Sequence, residues 1–532
     1  MSKFNLIDEP WIPCIDREGG RVELGIRECL VRARELREIC DDSPLVTVAI
    51  HRLLLAILYR AYGGPRDFTD WKRIFAEERL RTDVVEPYLN AWRCRFDILS
   101  NEYPFCQMAD LETRKPVPIC RLATECASGN NATLFDHSED AVAVSWPHAR
   151  VARQLLASQA FALGFGRSGN ATIGGNEEVL PYSKDSIALR GMTIWLQGSD
   201  LFETLCVNLV PVEDDSVPSW ELDDPNTHRD KLEGKERRVV SAFGVVDRMT
   251  WQSRLIRLVS NGRGVCGVSR VYYTQGRSAD KSDGDPMKCY RTSKEEGIVA
   301  LSLSANKAAW RDIHSVLMTP PARGREKRPE ALNLVARARG AGVIDAAKPF
   351  GINVVGLATA PQKAGKFLLW RHDRMPVHAS IIADDGLIER LGTLIVNAEE
   401  AADEMRSRTR RLCRLFLSRD CESPGGSQPD PKDVTRLADV IDSRPAFWAR
   451  LETHFYVLLE ALPESRDVAS DAWHAHIKRE AERALKESVK VLGTSARAIQ
   501  AIARIPTTFT NADLNPSMKR GNRALQKGAT PQ

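Results

Sequence analysis

Residues 386–416 read GLIERLGTLIVNAEEAADEMRSRTRRLCRLF. Leu387, Ile388, Leu391, Leu394, Ile395, Ala398, Ala402 and Met405 recur at steps of three and four, and the pattern extends to Leu415 and Phe416. That period draws one apolar face along a long amphipathic helix. Gly386 and Gly392 weaken it by about 1 kcal/mol each relative to alanine. A polar link rich in proline and glycine follows at Ser423–Pro431. Helical spacing returns at Phe447, Leu451, Phe455, Leu458 and Leu462, with Asp442 or Ser443 placed to cap and Pro445 in the first turn. Trp473, Ile477, Ala481, Ala484 and Leu492 repeat it, and Ala496–Ile505, stopped by Pro506, gives a last, shorter helix. Four helical segments with short connections predict a helical bundle over residues 381–510. The polar, basic stretch 511–532 is expected to be a disordered tail.

Residues 1–380 have a different character. Leu45–Tyr62 is a helix stopped by Gly63-Gly64-Pro65, and Arg150–Leu163 is a second. Val22 and Leu24 alternate as in a strand; Met192–Leu196, Leu205–Val210, Val271–Thr274 and the apolar run Ile352–Leu357 are further strand candidates. Trp251–Val259 reads as a short helix. Strands and helices mix without regular β-α-β repetition, so the fold class is α+β: a large N-terminal mixed domain, then the bundle.

With 532 residues, the chain has room for two to four structural units. Lys plus Arg is 75 and Asp plus Glu is 71, giving a net charge of +4. Free nucleic-acid binding by overall charge is therefore not indicated; basic residues would have to gather on one face. The 12 cysteines are scattered, with no CxxC, which fits a reducing cytoplasm better than a secreted disulfide scaffold. Val46–Tyr62 is apolar but broken by His51, Arg52 and Arg60, as a core helix would be. A soluble, cytoplasmic protein is expected.

Catalytic signatures are scarce. The sequence has no GxxxxGK[ST], GxSxG or HExxH. His372-Asp373 is the dipeptide that metal-dependent nucleases use, and it marks the enzyme alternative; a lone HD is common by chance, and a solvated turn after an apolar segment is the favoured reading. His148, His474 and His476 have no partners at ligand spacing, and Cys120 and Cys126 stand without a second pair. Three other segments carry non-catalytic signals. Gly164-Phe165-Gly166-Arg167-Ser168-Gly169-Asn170, continuing to Gly174-Gly175, is either a loop ending a helix or a backbone that lies close to a ligand. Asn130-Asn131-Ala132-Thr133-Leu134-Phe135 holds an aromatic that either tucks under its own loop or stacks on a base. Thr359-Ala360-Pro361-Gln362-Lys363 is a turn with a proline corner.

The same places carry a family resemblance. Phe4-Asn5-Leu6-Ile7-Asp8-Glu9-Pro10-Trp11-Ile12-Pro13 resembles the opening of the CasA family, the large subunits of type I-E Cascade. So do Thr133–His137, Gln159–Gly164 running into Gly166–Gly169, Thr250–Arg254, Val355–Leu357 with Gln362, and Phe447–Glu452, all in the family's order.

The resemblance implies an N-terminal α+β domain of unusual fold with a C-terminal four-helix bundle, and no catalytic site. It implies other Cascade subunits, guide RNA, double-stranded target DNA and a helicase–nuclease as partners, with no membrane and no cofactor. The family reads a short protospacer-adjacent motif (PAM) in duplex DNA and helps to open the duplex there. Its glycine loop maps to Gly164, Gly166, Arg167 and Gly169, and its glutamine wedge to Gln362. Pro361 stands where relatives often have Asn. A PAM-contacting lysine of the family falls where this chain offers Gln275 or Arg277. Asn130, Asn131 and Phe135 map to the loop at the guide-RNA end. Arg406, Arg408, Arg410, Arg411 and Arg414 would either follow the DNA backbone or form a solvated helix face. Some relatives carry paired cysteines for zinc; this chain lacks them, so no metal is expected. A purely structural subunit is the remaining alternative.

Overall fold

The computed structural model describes residues 3–510 except 127–143, 165, 167–168, 223–230, 234–235, 239–240, 261–266, 279–283, 294–296, 305–306, 321–325 and 360–366. The chain divides into two compact units. One holds Met1–Ala309 with Thr319–Met375, and the other holds Trp310–Met318 with Pro376–Gln532.

The core of the first unit is built on the helix Pro44–Tyr62. Pro44 occupies its first turn, and Gly63 ends it in the left-handed conformation (φ 63°). By length and composition this helix is apolar enough to cross a membrane, yet 83% of that stretch is buried inside the fold. Its polar interruptions each have at least one partner. His51 bonds the Thr47 carbonyl (2.8 Å), Arg52 pairs with buried Asp285 (2.9 Å), and Arg60 pairs with Glu221 (2.6 Å). The helix His148–Phe161 packs alongside it.

Small antiparallel sheets surround this core. Thr193–Gln197 pairs with Pro349–Thr359, which lies beside Phe367–His378. The register sets Val355 opposite Thr193 and Gly351 opposite Gln197. Arg254–Ser260 pairs with Val268–Gln275. Two sequence expectations are corrected here. Trp251–Val259 is not a helix: from Arg254 it is a strand, and a run as apolar as Leu255-Ile256-Arg257-Leu258-Val259 has no periodicity that tells the two apart. Leu205–Val210 is not a strand, because Leu201–Asn208 is a helix. Asp200 caps it by accepting the Glu203 amide (2.9 Å). Every residue of that helix is buried, so its apolar run carried no helical stripe.

In the second unit the quoted stripe is the helix Asp385–Leu417, whose Leu387 amide is capped by Asp384 (3.0 Å). It packs with Arg466–Ser488, which in turn packs with Arg444–Ala461. Asp442 accepts the Arg444 amide (3.0 Å), while the Ser443 side chain makes no cap. A helix absent from the sequence reading, Pro431–Val440, starts in the polar link under an Asp430 cap. Together with Ala496–Ala503 it closes a local core around Leu412, Leu415 and Ile441. Trp310, distant in sequence, stacks on Phe455 (4.7 Å) within this unit. The tail 511–532 lies outside the described residues.

Candidate nucleic-acid interface

The glycine-rich stretch resolves into two pieces. Asn170–Ile173 and Asn176–Val179 form a hairpin turned by Gly174-Gly175, both at positive φ (57° and 81°), as a two-residue turn between right-twisted strands demands. Gly164–Gly169 is a separate loop that leaves the end of the helix His148–Phe161.

The loop is closed against the segment Leu180–Asp185. The Gly164 amide donates to the Asp185 carboxylate (3.0 Å), Ser183 N–H donates to the Gly166 carbonyl (2.7 Å), and Leu180 N–H donates to that of Gly169 (3.1 Å). The glycines do different work. A Cβ on Gly164 would sit 3.1 Å from the Ser183 carbonyl oxygen, so this residue is small because backbone packs on it. Gly166 (φ 89°) and Gly169 (φ 77°) have nothing within 4 Å of such a Cβ. They are exposed, and positive φ is what selects glycine there. Arg167 lies outside the described residues.

Beneath the loop sits Arg254, 1% exposed. Its Nη2 donates to the carbonyls of Ala162 (3.0 Å), Leu163 (3.0 Å) and Lys184 (2.7 Å). Nη1 donates to the Ser253 carbonyl (2.8 Å), and Nε to the Tyr273 hydroxyl (3.2 Å). Gln159 exchanges two hydrogen bonds with the Arg254 backbone (2.8 and 3.0 Å). Burial lowers the Arg254 pKa from its usual value, but a guanidinium stays charged at neutral pH. One positive charge is thereby fixed directly under an exposed backbone loop.

Gln275 and Arg277, expected as alternative contacts to the duplex, are turned inward instead. Gln275 is 1% exposed and accepts the Lys184 amide (2.8 Å). Arg277 is 4% exposed, forms a two-toothed pair with Asp247 (2.6 and 3.0 Å) and lies 3.7 Å over the Trp251 ring. The strand Val268–Gln275 carries them into the interior because its end packs under the loop segment.

Gln362, together with Pro361 and Lys363, lies outside the described residues, as do Asn130, Asn131 and Phe135. The strands that flank Gln362 are described. Because Thr193–Gln197 runs antiparallel to Pro349–Thr359, its first residue lies beside the last part of that strand. The register sets Thr193 opposite Val355, four residues before Thr359, the last described residue ahead of Gln362.

His372 and Asp373, adjacent on a strand, point to opposite sides. His372 Nε2 bonds Asn353 (2.8 Å), and Asp373 accepts the Ala309 amide (2.6 Å). Among the described residues no three His, Cys, Asp or Glu side chains are grouped to hold a metal. On the long bundle helix, Arg408 is buried against Glu404 (2.9 Å) and the carbonyls of Pro506 and Thr508 (2.8 Å each). Arg411 pairs with Glu422 (2.6 Å) and holds that carboxyl below its usual pKa. Arg406, Arg410 and Arg414, four residues apart, are exposed on one face.

A family model described as CRISPR-associated protein Cse1 matches residues 5–484. The chain belongs to the Cse1 (CasA) family. The CRISPR-associated protein CasA/Cse1 of Thermus thermophilus is 32% identical over 510 residues, 95% of this chain and 96% of the relative. A crystal structure of Thermus thermophilus CasA matches with a TM-score of 0.77 at 29% identity, covering 94% of this chain and 98% of that one. A chain of a CRISPR RNA-guided surveillance complex shares the fold, with a TM-score of 0.72 at 20% identity over 95% of this chain and 99% of its own.

The support residues of this Cse1 chain were within reach of sequence reasoning. Gln159 and Arg254 stand inside the motifs that carry the resemblance, and a polar residue in an apolar run signals a buried partner. Gln275→Ala removes the acceptor of the Lys184 amide without touching the exposed loop. Hydrogen exchange at Lys184 is expected to accelerate about fivefold to tenfold, in line with the loss of a hydrogen bond worth about 1 kcal/mol; unchanged protection would detach Gln275 from the loop.

Proposed function

We propose that this chain is the large subunit of a type I-E RNA-guided surveillance complex. There it reads the PAM in duplex DNA, starts strand opening and R-loop formation, and helps to recruit a helicase–nuclease. Family membership supports the assembly with other Cascade subunits and guide RNA. The observation that carries the duplex-reading role is the exposed, positive-φ backbone at Gly166 and Gly169, held to Ser183 and Leu180 by hydrogen bonds, and the strand that leads to Gln362 lies in the sheet the chain enters ten residues after Ser183.

The chemistry follows from the parts. Gly166 and Gly169 leave backbone bare enough to approach a groove, and Arg254 beneath adds positive potential without reaching the surface. Minor-groove edges carry a degenerate code, so a backbone reader there tolerates several PAM sequences. The Gln362 side chain unstacks one base step at a cost of a few kcal/mol. Guide pairing then replaces the lost duplex at near balance, so the wedge acts chiefly by starting the exchange. Gln275 acts as a positioning residue beside the loop through Lys184, while Arg277 is held by Asp247 and Trp251. Phe135, with Asn130 and Asn131, meets the guide-RNA end. Arg406, Arg410 and Arg414 follow the DNA backbone beyond the PAM.

Gln362→Ala is expected to leave assembly and PAM binding intact but to lower permanganate reactivity of thymines beside the PAM by about tenfold or more, the scale of a lost unstacking contact. Normal reactivity would remove the wedge assignment. Gly166→Val forces a β-branched residue to φ 89°. It should weaken PAM-dependent binding while leaving binding to a duplex without PAM unchanged; equal loss on both, or no loss, contradicts the loop's role. Replacing Arg406, Arg410 and Arg414 by Gln should reduce the slope of log K against log salt by about 2–3, close to 0.9 per lost phosphate contact. An unchanged slope takes that helix face off the DNA and leaves it solvated.

A further inference from the structure

Away from the loops, a cavity of about 120 Å³ opens in the first unit, lined by Glu38, Asp41, His51, Trp195, Trp370 and His372 among others. Local periodicity builds it. Trp370, His372 and Arg374 alternate along one strand, so all three line it while Arg371 and Asp373 do not. Trp195 and Gln197 alternate on a second strand, and Thr47 and His51 share a helix face.

The hydrogen-bonding state of the walls follows from their partners. His51 is 4% exposed, with Nδ1 2.8 Å from the Thr47 carbonyl. A carbonyl only accepts, so Nδ1 holds the proton and Nε2 is a lone pair. Thr47 lies one turn back on the same helix, which turns Nδ1 toward the helix and leaves Nε2 toward the cavity. Among the described residues Nε2 has no partner. Burial pulls the ring's pKa down to about 4, which keeps it neutral. The Asn353 side-chain oxygen accepts from Arg374 Nε (3.0 Å) and sits 2.8 Å from His372 Nε2. His372 is therefore a donor at Nε2 and a lone pair at Nδ1. The two imidazoles flank Trp195 at 5.5 and 5.6 Å. Trp370 is 37% exposed.

Charge completes the picture. Glu38, Asp41 and Asp42 line the cavity against one lining cation, Arg374, which pairs with Glu38. Arg153 lies 3.3 Å from Asp41, and Arg21 3.9 Å from Asp42, whose side chain is 97% exposed. The walls thus offer acceptors, aromatic planes and an acidic rim. An anion would face lone pairs and carboxylates. A neutral base would leave the rim unused.

We infer that this cavity binds a guanidinium group, stacked on Trp370, donating N–H bonds to His51 Nε2 and facing the carboxylates of Asp41 and Asp42. The inference is independent of the DNA-reading role. The volume suits one planar group; cavities of about 150 Å³ take up benzene. Guanidinium is also the side-chain cation that both stacks on aromatics and donates in a plane. Two sources share this chemistry: an arginine of a neighbouring subunit and a free guanidinium compound.

The test titrates the full chain, carrying ¹⁵N-labelled histidine, with methylguanidinium, and separately with methylammonium, acetate and cytidine. The expected result is a saturable shift of the His51 Nε2 resonance with methylguanidinium, weaker with methylammonium and absent with acetate. Trp370→Ala, at a partly exposed position, should weaken binding about tenfold, within the range of a desolvated cation–π contact. No saturable shift, an equal response to acetate, or tighter binding of cytidine would overturn the proposal. In the assembled complex, a His51 resonance already at its bound position and insensitive to methylguanidinium assigns the occupant to a neighbouring arginine. A resonance that still titrates assigns it to a free compound.

Discussion

The buried guanidinium of Arg254 is the constraint around which the candidate interface is arranged. A charge this deep in the fold is tolerated only if its donors are satisfied. Here they are met by carbonyls from the helix end at Ala162 and Leu163, from the return segment at Lys184, and from its own strand at Ser253. Three chain segments are thereby held to one point. The backbone above them, Gly164–Gly169, begins and ends at fixed positions rather than as a free loop. Gln159 and Gln275 extend the same logic by bonding backbone groups beside it. Holding Gly164, Gly166 and Gly169 at fixed backbone positions meets part of the ordering cost before a ligand arrives, which is how preorganisation raises affinity without new contacts.

The second element is topological. The antiparallel pairing of Thr193–Gln197 with Pro349–Thr359 places the chain that continues from Ser183 in the same sheet as the strand that leads to Gln362. On the proposed reading, a groove reader and a base-step wedge act on neighbouring positions of a duplex, and a shared sheet is one way for the chain to link them.

Much of this was legible in the sequence, and the failures have physical causes. The bundle helix Asp385–Leu417 was plain because one face is wet, so burial left a 3.6-residue stripe. The helix Leu201–Asn208 is buried on every side and left none; Asp200 with Glu203 was its only clear mark. Arg254–Ser260 misled because so short and apolar a run shows no period that separates helix from strand. Pro431–Val440 hid in a segment rich in proline and polar residues, although Asp430-Pro431 is a good helix start. At the site, the glycines were visible as glycines, but spacing could not separate Gly164, packed on backbone, from Gly166 and Gly169, held at positive φ. Gln275 and Arg277 were candidate contacts because the resemblance puts a duplex-contacting lysine at that place, and position along the chain carries no information on burial. Only tertiary structure shows Lys184 and Asp247 waiting for them.

The account stands on the two turns meeting one stretch of DNA. The direct measurement is photocrosslinking from a single photoreactive nucleotide placed within the PAM of a target duplex bound by the assembled complex, with the attachment sites mapped by mass spectrometry. Attachment to both 164–169 and 360–366 from that one position, lost when the PAM is scrambled, is the predicted result. Attachment to one turn alone, or to neither, would contradict it.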